Sequence, residues 1–189
     1  MSFRIAFLVT DCASRANRPR PGVSTAGVAI PSARVLVLDR VSGGFRCDMS
    51  EKQSALEASY LATTYRINTP VGIIDIRIGH KQPELDALLL ELRATEWAFI
   101  SAWNPGSRPT RSDRNASAHA KLLEMVRDRG LVFYEGDGIS DAGNWVTERS
   151  IWLAGIGRQE AIEIGRRFGQ NALVVGSLYG VAELVDCRS

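Results

Sequence analysis

The spacing of apolar positions changes several times along the chain, and each change marks an element. In GIIDIRI, residues 72–78, Ile74, Ile76 and Ile78 share one face while Asp75 and Arg77 take the other. That twofold period predicts a half-buried strand, because successive strand side chains point to opposite faces. TYRIN at 64–68 precedes it across Thr69-Pro70-Val71-Gly72, a break that reads as a hairpin. The period then lengthens. Leu85, Leu88, Leu89 and Leu92 follow Pro83 at helical spacing, with Glu84 and Asp86 in the opening turn. EWAFISAW, residues 96–103, has no charge after Glu96: Trp97, Phe99 and Trp103 take one side, and Ala98, Ile100 and Ala102 the other. A strand apolar on both faces belongs at the centre of a sheet.

Further on, a helix is predicted over residues 112–129, with Ser112 as its N-cap and Gly130 just beyond its end. A strand LVFYEG, an Asp137-Gly138 turn, a loop SDAGN and a strand over 145–156 follow. The helix RQEAIEIGRRFG carries acids early and Arg166 and Arg167 late, and NALVVGSLYGVAELVD supplies one or two closing strands. The order α-β-β-α-β-α-β-β-α-β mixes hairpins with crossovers. It predicts an α+β fold, a mixed β-sheet packed with three to four helices in a single compact domain over residues 49–189.

The first 48 residues read differently. They hold seven arginines, three aspartates, no lysine and no glutamate, a charge of 7 − 3 = +4 that leaves −2 for the remainder of a chain whose net charge is +2. RANRPRPGVSTAGVAIPSA has no sustained period, and lysine and glutamate return only at MSEKQSALEASYLATTY. There Ser50 and Gln53 have capping-box spacing, with Glu51 in the first turn. Residues 1–48 are therefore expected to be a poorly structured extension or a mis-assigned start, with Met49 as the true one.

Composition excludes more than it assigns. No apolar run approaches the roughly 20 residues of a membrane helix, and IAFLVT is too short for a secretory signal. Cys12, Cys47 and Cys187 fit neither a zinc spacing nor an even disulfide framework, and with only His80 and His119 beside them no metal site is expected. A cytoplasmic location follows as the default. The net −2 after Met49 argues against nucleic acid as a partner. No phosphate-binding glycine loop, nucleophile elbow or zinc-protease motif is present, so no cofactor is assigned.

Four polar constellations remain. Arg108, Arg111 and Arg114 surround the start of the 112–129 helix, where free N–H groups and guanidinium forks would favour an anion; the plainer reading is a solvated loop in which arginine offsets Asp113. Asn104 ends the central strand, where it could close a turn, its commoner use, or face a ligand. Asn115 and His119 begin the apolar stripe Leu122, Leu123 and Val126. A buried Asn115 would need partners such as the Asn104 loop, and His119 reads as a satisfied histidine at the core's edge. In NWVTERSIW, alternation puts Glu148, Ser150 and Trp152 on one face. A carboxyl buried there would hold its proton more tightly and could act as a general acid or base, whereas at a wet edge it would be plain surface. Gln170-Asn171, past the last helix, could complete the cluster.

These residues carry a resemblance. SAWNPGSRP, then Asn115 and its helix, then Trp145, Glu148 and Ser150 spaced W-x-x-E-x-S, then RRFGQNALV at 166–174 resemble a bacterial family known as domain of unknown function 3293. The resemblance spans most of residues 60–180 and implies a compact bacterial domain with no settled activity. It picks out Asn104, Asn115, Glu148, Ser150 and Gln170, and leaves His119 aside. Together these readings predict a polar pocket for a small anionic or nucleotide-like ligand, with Glu148 as possible acid or base. The competing expectation is a protein-interaction module, in which the same cluster braces loops and the tryptophans recognise a partner. An enclosed tryptophan beside Glu148 would favour the pocket, and an exposed one on a flat patch the module.

Overall fold

In a computed structural model, residues 46–143 and 145–188 are described, with side chains from Lys52 onward. The expectations for residues 1–45 lie outside them. The elements run α1 (Arg46–Leu61), β1 (Thr63–Thr69), β2 (Gly72–Ile76), α2 (Pro83–Glu91), β3 (Glu96–Ser101), α3 (Ser112–Asp128), β4 (Phe133–Ser140), β5 (Glu148–Ala154), α4 (Arg158–Arg167), β6 (Ala172–Ser177) and β7 (Glu183–Asp186). The fold is α+β, as the order of patterns predicts. The helix before β1 already runs from Arg46, so Ser50 stands within it and does not cap it. No described helix is long and apolar enough to cross a membrane.

One seven-stranded sheet, in the order β2-β1-β4-β5-β3-β6-β7, organises everything else. All its ladders are antiparallel. Among the described residues, the parallel pairing that a mixed sheet implies is confined to one bridge, Ile78 with Ala182. That bridge joins the segment after β2, at one edge, to the segment before β7, at the other. Gly79 N–H donates to the Ala182 carbonyl at 2.8 Å, and Ala182 N–H to His80 at 3.1 Å. The sheet therefore curls, and its two faces become an inside and an outside.

Strand alternation sorts the core accordingly. Trp97 and Phe99 of β3, Trp152 of β5 and Ile74 and Ile76 of β2 turn inward, where the Leu85, Leu88 and Leu89 stripe of α2 packs on them. Ala98, Ile100, Ile151 and Leu153 turn outward under α3 and α4, meeting Leu122, Val126 and Ile164. Both faces of β3 are buried, as expected of a central strand. Trp103 departs from its predicted face: the chain has left the strand by then, and its ring stands edge-on to His119 of α3 with centroids 6.4 Å apart.

The predicted Asp137-Gly138 turn is not a turn. β4 runs straight through it, and Gly136 and Gly138 are paired with both neighbouring strands. Turn signals in sequence are local, whereas these glycines answer a tertiary demand for space. A Cβ on Gly136 would sit 2.3 Å from the Arg66 carbonyl oxygen and 3.1 Å from the Phe99 ring. Conversely, β5 starts only at Glu148, so Trp145 and Val146 precede the strand.

Gly136→Ala is therefore expected to destabilise the domain by about 1–3 kcal/mol, since the clashing atom is backbone and cannot rotate away. Urea unfolding should show a lower midpoint at an unchanged slope.

Candidate functional site

β3 ends in a chain reversal fixed by hydrogen bonds. Trp103 N–H donates to the Ser101 hydroxyl at 2.9 Å, and Asn104 then adopts left-handed backbone angles, φ 47° and ψ 60°. Asparagine tolerates that conformation better than most residues, which explains its place here. A short 3-10 turn, Pro105–Ser107, follows and is tied down by Gly106 N–H donating to the Gly169 carbonyl at 2.7 Å.

Buried Asn115 holds this reversal from the first turns of α3. Its Oδ1 accepts from Asn104 N–H at 2.9 Å, and its Nδ2 donates to Asn104 Oδ1 at 2.9 Å and to the Thr110 carbonyl at 3.2 Å. Thr110 N–H donates to the same Asn104 Oδ1 at 3.0 Å. With two donors on its oxygen, the Asn104 amide has one orientation open. Its NH2 faces the other way, and Nδ2 donates to Glu148 Oε1 at 2.7 Å. The two asparagines thus partner each other, as the buried Asn115 was expected to require.

Glu148 and Ser150 point to the inside of the curl. Glu148 pairs across the sheet with Gly138, which in turn pairs with Tyr65 of β1. A glycine on the strand between leaves room, and a cavity of about 240 Å³ opens there. Asn104, Glu148, Ser150 and Gln170 all line it, with Trp145 beside them. Aromatic rings from Tyr60 of α1, Tyr65 and Phe99 form much of the remaining wall. Gln170 Nε2 donates to the Trp103 carbonyl at 3.0 Å, which fixes that amide too. At the rim Asn171 Nδ2 donates to the Ser107 hydroxyl, itself 2.9 Å from the Tyr60 hydroxyl.

Electrostatics follow from burial. Desolvation pushes the Glu148 carboxyl above the ordinary carboxylate range, and the Asn104 hydrogen bond offsets this only in part. Burial also raises the Tyr60 phenol, against the pull of its Ser107 contact.

The arginines lie elsewhere. None lines the cavity. Arg108 is exposed after the 3-10 turn. Arg111 grips Asp113 through two bonds of 3.1 and 3.2 Å on open surface, as the solvated-loop reading has it. Arg114 borders a groove between α3 and α4 on the sheet's outer side, among Lys121, Arg167, Asp113, Glu124 and Asp128. Ser112 is the first residue of α3, and the N-cap position falls to Arg111 with no side-chain cap bond. The helix terminus and the arginines therefore do not join Glu148.

His119 is buried on the outer side, and neither ring nitrogen finds a hydrogen-bond partner among the described residues, so it is not the satisfied histidine expected. Burial holds its imidazole below the ordinary histidine value, and Arg149 lowers it further. Among the described residues no cluster of three or more His, Cys, Asp or Glu side chains is placed to hold a metal ion.

Sequence patterns did not single out the aromatic wall. Tyr65 carried a signal, alternating with Ile67 on the inward face of β1, but Tyr60 near the end of α1 carried none.

No curated protein and no solved structure matches the chain. Residues 100–173, narrower than the 60–180 span of the motifs, hold Asn104, Asn115, Glu148, Ser150 and Gln170 and match the model of a family described as Protein of unknown function (DUF3293), to which the chain is thus similar.

Proposed function

We propose that the cavity inside the curl binds a small ligand with an apolar body, and that Glu148 acts there as acid or base. The observation that carries this reading is the juxtaposition of an oriented, partly desolvated carboxyl with a partly open cavity walled in part by aromatic rings. A general acid or base needs a tuned pKa and a fixed position, and the upward shift of Glu148 and its bond from Asn104 support that role. Benzene fits a cavity of about 150 Å³, so 240 Å³ suits a substituted ring and falls short of a whole nucleotide. The tryptophans favour this reading over an interaction module. Trp152 is fully buried and half-buried Trp145 lines the cavity, so neither stands on a flat exposed patch.

A thermal-shift screen of small ring compounds tests the proposal. Compounds that raise the midpoint of the wild type should lose that shift in Glu148→Gln, which keeps an oxygen for Asn104 to donate to and should fold. Shifts indifferent to Glu148→Gln, or a variant that does not fold, would return Glu148 to a purely structural role.

Stability against pH gives a second test. A carboxyl whose folded pKa is raised contributes stability that is fully present below the unfolded value and lost as pH rises through the folded one. Glu148→Gln does not titrate. Its midpoint relative to wild type should therefore climb with pH across that window and hold level on either side, in parallel urea titrations.

Asn104→Gly removes the orienting bond, together with the Asn115 and Thr110 bonds to the same amide, while glycine accepts the left-handed backbone without strain. Losing the Asn104 donor should raise the Glu148 pKa further, read from the side-chain carboxyl carbon by NMR. An unchanged value would mean that the bond does not act on the carboxyl.

A further inference from the structure

Resting on the cavity reading above, we infer that the ligand is a small organic cation, an amine or amidinium carried on a ring. Charge is the first argument. Among the described residues, Glu148 is the only carboxyl that lines the cavity, and no arginine, lysine or histidine lines it. An anion entering would meet a carboxylate with no basic side chain of a described residue on the lining to offset it.

Hydrogen-bond capacity is the second. Glu148 Oε1 takes the Asn104 amide, while Oε2 accepts no bond from a described residue. Gln170 is held with its NH2 on the Trp103 carbonyl, and its Oε1 accepts no bond from a described residue. The donors nearby are largely committed: Tyr65 O–H to the Tyr60 carbonyl at 3.0 Å, and the Ser101 hydroxyl to the Arg149 carbonyl at 2.8 Å. The space therefore asks for N–H groups from its occupant.

The walls are the third. Tyr60, Tyr65, Phe99 and Trp145 present aromatic rings, and ring faces attract cations most strongly where water is excluded. A bound cation would also restore what desolvation takes from the Glu148 carboxylate, drawing its pKa back down.

Three benzene-ring probes of similar size separate this inference from the cavity reading: benzamidine, benzyl alcohol and benzoate, each titrated by calorimetry into the full chain at neutral pH. Benzamidine should bind at least about tenfold more tightly than benzyl alcohol, as a charge-assisted bond implies, and benzoate more weakly than either. In Glu148→Gln benzamidine should lose its advantage and bind no more tightly than benzyl alcohol binds to the same variant. Gln170→Leu should weaken benzamidine selectively and provides a second variant, should Glu148→Gln be unstable. Benzyl alcohol binding as well as benzamidine, benzoate binding best, or benzamidine affinity untouched by both variants would overturn the cation while leaving a cavity that binds rings. Failure of all three probes would overturn the cavity reading itself.

Discussion

Two asparagine amides, Asn104 and Asn115, hold the site in shape. Each gives the other a hydrogen bond: Asn115 accepts from the Asn104 backbone and donates to the Asn104 side chain. A left-handed residue at the end of a central strand is unfavourable on its own account, and buried amide groups left unpaired would cost more. Neither arrangement would persist alone. Together they fix the reversal after β3 and commit the Asn104 NH2 to the Glu148 carboxyl. Orientation thus reaches the cavity from buried Asn115 through one intermediate side chain, and the carboxyl is aimed by a connected network of hydrogen bonds of 2.7 to 3.2 Å.

The room into which that carboxyl faces comes from residues without side chains. Gly138 lies between Glu148 and Tyr65 across three strands, and a Cβ there would meet the Glu148 carbonyl oxygen only at 3.8 Å. Gly136, one step along the same inward face, has no such space. The paired glycines of EGDG therefore do different work: Gly136 lets the curled sheet close on Phe99, and Gly138 borders the opening that closure leaves.

Much of this was legible in the sequence, and the parts that were not share a cause. Alternation along GIIDIRI, EWAFISAW and ERSIW sorts inside from outside correctly, Trp103 beyond the end of β3 excepted, because strand periodicity is a local property. It places Glu148, Ser150 and Trp152 on one face without any knowledge of the fold. The link between Asn115 and the Asn104 loop was legible too, since an amide on an apolar helix stripe demands a partner. Arg108, Arg111 and Arg114 misled because proximity in sequence to Asn104 is not proximity to its side chain. Ser107 and Pro109 after the reversal still line the cavity, but Arg108 and Arg111 are exposed, and Arg114 on α3 borders the outer groove. The Asp137-Gly138 turn failed for the opposite reason. Its glycine serves a cavity built from β1 and β5, which no window of β4 contains.

The family match divides the site in a way that bears on its chemistry. Asn104, Asn115, Glu148, Ser150 and Gln170 all lie within residues 100–173, whereas Tyr60, Tyr65 and Phe99 lie before them. The polar end, where orientation and proton affinity are set, is thus encoded in one segment, and most of the aromatic wall in another. On the proposed reading these halves have separable tasks. The amide network and carboxyl determine which functional group is held, and the wall determines which ring is admitted. A side chain exchanged on α1 or β1 would then alter the shape of the ligand accepted, without touching the bonds that aim Glu148.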